Sequence, residues 1–192
     1  MYKVELSAVE AAAKRLENVA LCSPLGLNET QSREFGASVY FKREDLQQVR
    51  SYKIRGAFNK ISSIPPEGLK KGVVCASAGN HAQGVAYSCA RKKVKGMIFM
   101  PTPTPKQKIA QVEMFGGAYI QVILVGDTFD DASQKAIEYC KANAMHFVHP
   151  FDDEKVIEGQ ATIGLEILAQ SKVGIDYLFL PVGGGGVASG VS

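Results

Sequence analysis

From Gly72 to Phe151 short apolar runs alternate with longer amphipathic ones, and that rhythm restricts the chain to very few architectures. "GVVCAS" (72–77) has the length and composition of a buried strand, and "NHAQGVAYSCARKK" (80–93) follows with helical spacing. "VKGMIFMP" is a second strand, with a helix from about Pro105 to Phe115. "AYIQVILV" is a third strand, "DTFDDASQKAIEYCKANA" a third helix and "HFVHPF" a fourth strand. Apolar strands separated by helices at this spacing predict a parallel sheet covered on both faces, joined by right-handed crossovers. Outside this block, Ser7 followed by Glu10 reads as a capping box opening a helix over 7–19, with Val9, Ala12, Leu16 and Val19 on one face. "SPLGLN" breaks the chain, and "SVYFKRED" (38–45) alternates as a strand. A helix over 54–63 stops before Pro65-Pro66, and a long one spans 154–171. "YLFLPV" (177–182) reads as a strand, then come four glycines and "VASGVS", which opens a helix. A strand, a tight turn and a helix start are half of a structural unit, so a fragment of a longer protein is expected.

The chain has 192 residues, of which 46% are hydrophobic and 21% charged, enough apolar material for a sizeable core and no sign of disorder. A formal net charge of +3 without a long basic run argues against nucleic acid; "ARKKVKG" (90–96) fits a solvated helix end. Cys22, Cys75, Cys89 and Cys140 show neither a C-x-x-C pair nor metal-ligand spacing, and Cys75 and Cys89 read as buried, reduced thiols. No metal site is expected, since His146 and His149, three apart on a strand, point to opposite faces. No charged-then-apolar leader follows Met1 and no apolar stretch reaches membrane-spanning length, so a soluble, cytoplasmic protein with no membrane partner is expected.

Three stretches can carry chemistry. In "YLFLPVGGGGVASG", Gly183, Gly184, Gly185 and Gly186 separate a strand from a helix start. Without Cβ atoms the backbone can turn several N–H groups onto one point, where the helix N-terminus adds partial positive charge, and a phosphate fits there. Gly183, Gly185 and Ala188 also match a dinucleotide-binding G-x-G-x-x-A, which keeps a nucleotide-dependent oxidoreductase open as an alternative. In "CASAGNHAQGVA" (75–86), Ser77, Gly79, Asn80 and His81 lie where a strand ends and a helix begins, the edge of a parallel sheet where ligands bind. Ser77 and Asn80 can simply cap that helix, or the turn can cradle a carboxylate. His81 could equally be a helix-surface residue. Lys53, in "SYKIRGAFNK", becomes a nucleophile or base only when neutral, which burial promotes. Tyr52 beside it could stack on a planar ring; whether Arg55 faces Lys53 is left open.

Taken together, "KREDLQQVRSYKIRGAFNKI", "CASAGNHAQGVAYS", "HPFDDEKVIEGQATIGLEI" and "GGGGVASG" resemble, in order and spacing, the signatures of the fold-type II pyridoxal-phosphate enzymes, most closely the threonine dehydratases. The resemblance covers essentially the whole chain. It implies an α/β fold of two parallel-sheet, three-layer domains, as in tryptophan synthase beta-like enzymes. The small domain would be 72–152, and 1–71 with 153–192 would form part of a larger, incomplete one. It implies pyridoxal 5'-phosphate as cofactor, held as a Schiff base by Lys53, which later acts as the base on the substrate α-carbon. Tyr52 would lie near the ring, Asn80 would hydrogen-bond its hydroxyl, and Gly183 to Gly186 would bind the phosphate. Ser77, Ala78, Gly79, Asn80 and His81 would hold the substrate carboxylate.

The implied activity is deamination of L-threonine, and of L-serine, to 2-oxobutanoate or pyruvate and ammonia. The implied setting is a cytoplasmic homo-oligomer acting on a small amino acid in isoleucine biosynthesis. Serine racemases resemble the chain too, but carry a second serine where Ala78 stands; Ala78 has no proton to transfer, which favours dehydration over racemisation. A third possibility is a folded, non-catalytic fragment that associates through an unfinished sheet.

Overall fold

The computed structural model describes residues 3–192. In its first helix, α1 (Leu6–Leu16), Val9, Ala12 and Leu16 form the buried stripe that their spacing predicts. The expected capping box is absent: Glu5 stands at the N-cap without a side-chain cap, and Ser7 lies inside the first turn. The strands β1 (Leu25–Leu27) and β2 (Tyr40–Lys42) pair antiparallel, with Leu25 opposite Lys42. Between them runs α2 (Glu29–Phe35), capped by Asn28 and ended by Gly36 at φ +61°. The strand expected over 38–45 is cut short because Glu44–Leu46 form a 3₁₀ turn that carries the Glu44 carboxylate inward to Arg55. Next come α3 (Lys53–Ser63) and the single turn α4 (Pro66–Leu69), which has proline in its first turn.

Four strands then build the expected parallel sheet: β3 (Val73–Ala76), β4 (Gly96–Met100), β5 (Ile120–Leu124) and β6 (His146–Phe147). Their order is β5-β4-β3-β6. They alternate with α5 (Asn80–Lys92), α6 (Lys106–Gly116) and α7 (Phe129–Ala142), the last opened by a Thr128–Asp131 capping box. Because strand side chains alternate, each strand serves two cores. Val73, Cys75, Ile98 and Met100 pack with Ala57 and Ile61 of α3, Ala82 and Val85 of α5, and Val112 of α6. Val74, Ala76, Met97 and Phe99 pack with Ala136 and Cys140 of α7. Cys75, Cys89 and Cys140 are buried free thiols and Cys22 is exposed.

The chain closes with α8 (Glu154–Gln170) and α9 (Gly186–Val191). The strand expected at 177–182 does not form. A strand needs a neighbour for its N–H and C=O groups, and none of the strands formed by the described residues runs beside this stretch. Tyr177 and Phe179 stay 82% and 90% exposed.

Two glycines let α3 and α8 touch backbone to backbone. A Cβ on Gly159 would stand 2.5 Å from the Arg55 carbonyl oxygen and 2.8 Å from the Gly56 Cα; one on Gly56 would stand 2.8 Å from the Val156 carbonyl oxygen. At that crossing Arg55, only 1% exposed, spends its guanidinium on two carboxylates. Nε and Nη2 donate to Glu44, each at 2.8 Å, and Nη1 and Nη2 to Glu166 at 2.6 and 2.9 Å. Thr162 Oγ1 and the Leu21 carbonyl accept the remaining bonds, and Lys42 adds a second cation on Glu166. Burial opposes the charge on both Arg55 and Glu44, but their mutual pairing, with Glu166 on the arginine, outweighs it: the arginine is raised and the carboxyl lowered.

Removing one partner of a buried, bidentate pair leaves the other charges uncompensated. Arg55→Leu is therefore expected to cost about 3–5 kcal/mol of stability, read from the midpoint of a urea unfolding curve.

Candidate active site

Lys53 is the first residue of α3, directly after Tyr52. The helix is anchored by Ile54, Ala57, Phe58 and Ile61, all buried, so the backbone that presents Lys53 is rigid. Its main chain is pinned from the far side by α5: a Cβ on Gly84 would stand 3.0 Å from the Lys53 carbonyl oxygen. A Cβ at 84 would thus be tight against the α3 backbone, and glycine relieves that close approach. The half-buried side chain crosses to residue 150, where Nζ donates to the Pro150 carbonyl at 2.6 Å. Nζ also lies 5.4 Å from the Tyr52 ring centre. Burial pushes the Lys53 ammonium below its ordinary value, in favour of the neutral amine. Arg55 takes no part in this, since its guanidinium faces Glu44 and Glu166.

Residues 148–151, just after β6, form the strap that gathers the site. Val148 N–H donates to the Val74 carbonyl at 2.8 Å, extending the sheet ladder past β6. The Val148 carbonyl meets His81 Nε2 at 2.9 Å, so that nitrogen carries the proton and donates. His81 is therefore a core residue rather than a helix-surface one. Its other nitrogen, Nδ1, is buried without a partner among the described residues. Next in the strap, His149 Nδ1 accepts from the backbone N–H groups of Phe151 and Asp152 at 3.3 and 2.7 Å, a tight turn locked by its own side chain. The His149 and Phe151 rings meet edge to face, 4.7 Å apart.

The glycine run closes onto the same strap. A Cβ on Gly184 would strike the Phe151 ring, and one on Gly186 would stand 2.7 Å from the Phe151 carbonyl oxygen. Gly183 and Gly185 have nothing within 4 Å at that position, and Gly185 holds φ +84°. The run thus alternates: two glycines fit against protein and two face open space, where backbone N–H groups can receive an anion. From it α9 lies flush on α8, with Gly190 against the Ile157 carbonyl and Val187 packed with Ile163, Ile167 and the ring of Tyr52. Tyr52 therefore lies beside Lys53 and against the apolar cluster that α8 and α9 share.

Between these, the turn from β3 to α5 presents its backbone. Ser77 N–H donates to the Phe99 carbonyl, and Ser77 Oγ accepts from Gly79 N–H at 3.2 Å. Of the two readings open for this turn, capping of α5 by Ser77 or Asn80 is not made; Gly79 is the N-cap residue and no side chain caps the helix. The reason is geometric: Asn80 is already the first helical residue and exposed, while Ser77 is engaged within the turn. That leaves the first N–H groups of a 13-residue helix uncapped by side chains, beside open space at Gly79. Ala78 packs its methyl group on the sheet core. Two cavities lie elsewhere, one against α1 and Glu166 and one beside β1 and β2, and Gly183, Gly184 and Asn80 are exposed.

Sequence reasoning singled out Lys53, Tyr52, the 77–81 turn and the glycine run, but not the strap that joins them. Pro150 and Phe151 act through a carbonyl and a ring face, which no composition or spacing marks. Gly84 and Gln160, the latter discussed below, escaped notice for the same reason.

The sequence profile of the family described as pyridoxal-phosphate dependent enzyme matches residues 22–192. A curated relative, the "L-threonine dehydratase biosynthetic IlvA" of Halalkalibacterium halodurans, is 54% identical over 191 residues, covering 100% of this chain and 46% of the relative. The processed form of threonine deaminase isoform 2 from Solanum lycopersicum superposes with a TM-score of 0.89 at 44% identity, over 98% of this chain and 52% of that one. Maize serine racemase gives 0.92 at 29% identity, over 99% and 56%. The chain thus spans about half the length of the proteins it matches. The shared fold does not separate dehydratase from racemase, whereas identity favours the dehydratases. A dinucleotide-binding role for Gly183–Ala188 gives way to the family match.

Burial holds His81 neutral, down to about 4 from 6.5; the Val148 bond opposes this, and the nearby Lys53 and His149 charges add to it. The folded protein refuses a proton that the unfolded chain accepts between those values. Stability is then unaffected above pH 6.5 and falls by roughly 3 kcal/mol as pH drops to 4. Chemical denaturation across that range should show this slope, and His81→Gln should remove it.

Proposed function

The chain belongs to the pyridoxal-phosphate dependent enzyme family, and we propose that the protein carrying it deaminates L-threonine, and L-serine, by α,β-elimination. The products are 2-oxobutanoate or pyruvate, and ammonia. One observation carries most of the weight: the Lys53 amine rests on Pro150 while the glycine run rests on Phe151, the next residue. An amine able to hold an aldehyde carbon and a backbone cradle able to hold its phosphate are thereby brought together by one turn of chain. The open positions at Gly183 and Gly185, and the depressed ammonium of Lys53, fit a phosphorylated, aldehyde-bearing ring.

Each residue then has a role in the proposal. Lys53 Nζ would hold the aldehyde carbon of the cofactor and, as a neutral amine, would take the substrate α-proton. The Pro150 carbonyl gives the freed amine a resting partner. When bound, the cofactor supplies a conjugated ring that takes up the electron pair left by that proton. Gly183, Gly184, Gly185 and Gly186 would bind the phosphate, Tyr52 would lie near the ring and Asn80 would hydrogen-bond its hydroxyl. Ser77, Ala78, Gly79, Asn80 and His81 form the turn that receives the substrate carboxylate, chiefly through backbone N–H groups and the positive end of α5. Loss of the α-proton and of the β-hydroxyl, which leaves as water, would give an enamine, and its hydrolysis would give the 2-oxo acid and ammonia. Ala78 supplies no proton on the opposite face, which supports elimination over racemisation.

Residues 72–152 form the small domain in this proposal, and 1–71 with 153–192 contribute to a larger one. The biosynthetic name of the relative supports a place in isoleucine biosynthesis; the proposal further takes the protein as a cytoplasmic homo-oligomer without nucleic-acid or membrane partners.

Borohydride reduction followed by peptide mapping should find a pyridoxyl group on Lys53. Lys53→Ala in the full-length protein should lower ammonia release from threonine by at least about a thousandfold while leaving the circular dichroism unchanged; near-normal turnover would remove Lys53 from the mechanism. Ala78→Ser should introduce slow racemisation of serine, detectable by chiral chromatography.

A further inference from the structure

Gln160 lies in the middle of α8 with no exposed surface, and neither its Oε1 nor its Nε2 has a partner among the described residues. The same helix pairs its other buried polar side chains. Lys155 holds Glu158, and Thr162 donates to the Gly159 carbonyl while accepting from Arg55. A doubly unpaired amide therefore stands apart, and an unpaired buried amide destabilises a fold where an apolar side chain of the same size would not.

Its position says what the amide waits for. Nε2 is 3.1 Å from where a Cβ on Gly56 would stand, one turn along α3 from Lys53. Oε1 is 3.0 Å from where a Cβ on Gly186 would stand, the last residue of the glycine run and the first of α9. The Phe151 carbonyl lies beside the same point. Gln160 thus fills the space between the helix that presents the amine and the run that faces the open side, and touches the run from behind.

We propose that Gln160 is a positioning residue for the phosphate cradle: its amide, unpaired here, pairs with the backbone of the glycine run when that run closes on a phosphate monoester. The inference rests on the run being the phosphate site of the proposed enzyme. Gln160 does not itself touch the reacting atoms; it acts through the run, and through α3 it ties the run to the helix of Lys53. The side chain carries both a donor and an acceptor, so it can serve an N–H of the run or a carbonyl other than that of Gly185, which already accepts from Ser189 N–H at 2.8 Å.

The test uses the full-length protein, wild type and Gln160→Met, with pyridoxal phosphate and inorganic phosphate as probes. If the amide has no partner without ligand, Gln160→Met melts at or above the wild-type temperature when cofactor-free. Its affinity for both probes nevertheless falls about tenfold, and the ³¹P resonance of the bound phosphate moves. A lower cofactor-free melting temperature with unchanged affinity and resonance makes Gln160 an ordinary core residue and overturns the proposal. Should Gln160→Met not fold, Gln160→Glu decides: a carboxylate behind the run must weaken phosphate binding more than tenfold, and undiminished binding overturns it. The two conclusions separate cleanly. A Lys53 adduct formed with Gln160-independent affinity sinks this inference alone; Gln160-dependent phosphate binding without a Lys53 adduct supports it and sinks the proposed reaction.

Discussion

The structure depends on one buried arginine. Arg55 stands where α3 and α8 cross with glycine against glycine, and its guanidinium grips Glu44 on one side and Glu166 on the other. A fork of fixed geometry can do this where an ammonium could not, because each carboxylate receives two nearly parallel bonds. The cost of burying three charges is heavy, and only complete pairing makes it tolerable. Once paired, the network sets the rotation of α3 about its axis. Arg55 faces the α8 side, and Lys53, two residues earlier, is turned toward the strap at 148–151.

That rotation makes a lysine into a candidate catalyst. Lys53 is not unusual for its neighbours in sequence but for what surrounds it in space: a carbonyl at 2.6 Å, an aromatic ring, the backbone of α5 against its own carbonyl, and burial that lowers its ammonium below the ordinary value. The strap coordinates the remaining parts. In four residues it continues the sheet through Val148, fixes the tautomer of His81, receives Lys53 at Pro150 and supports the glycine run at Phe151. Displacing it would loosen the amine and the cradle together, a coupling that suits a cofactor held at two ends.

Much of this was legible beforehand, and for identifiable reasons. The βα alternation from Gly72 to Phe151 is a periodicity signal strong enough to survive without context, and all four strands and three helices of that block formed. Lys53, the 77–81 turn and Gly183–Gly186 stood out because lysine, asparagine and glycine at element boundaries carry recognisable chemistry. The failures share a cause. The capping box at Ser7 depends on where a helix starts to within one residue, and backbone propensity does not resolve that. The strand at 177–182 depends on a partner strand, which local composition cannot supply.

The sequence alone determined the periodicities, the buried thiols, the glycine-rich turn and the kinds of side chain available for chemistry, because these follow from composition and spacing along the chain. Only the tertiary structure decided that Arg55 turns away from Lys53, that Pro150 and Phe151 join amine and cradle, and that Gln160 is buried without a partner among the described residues. Those outcomes rest on contacts between residues tens of positions apart. Their distances are set by how helices and sheet pack against one another, and no local stretch of sequence encodes them.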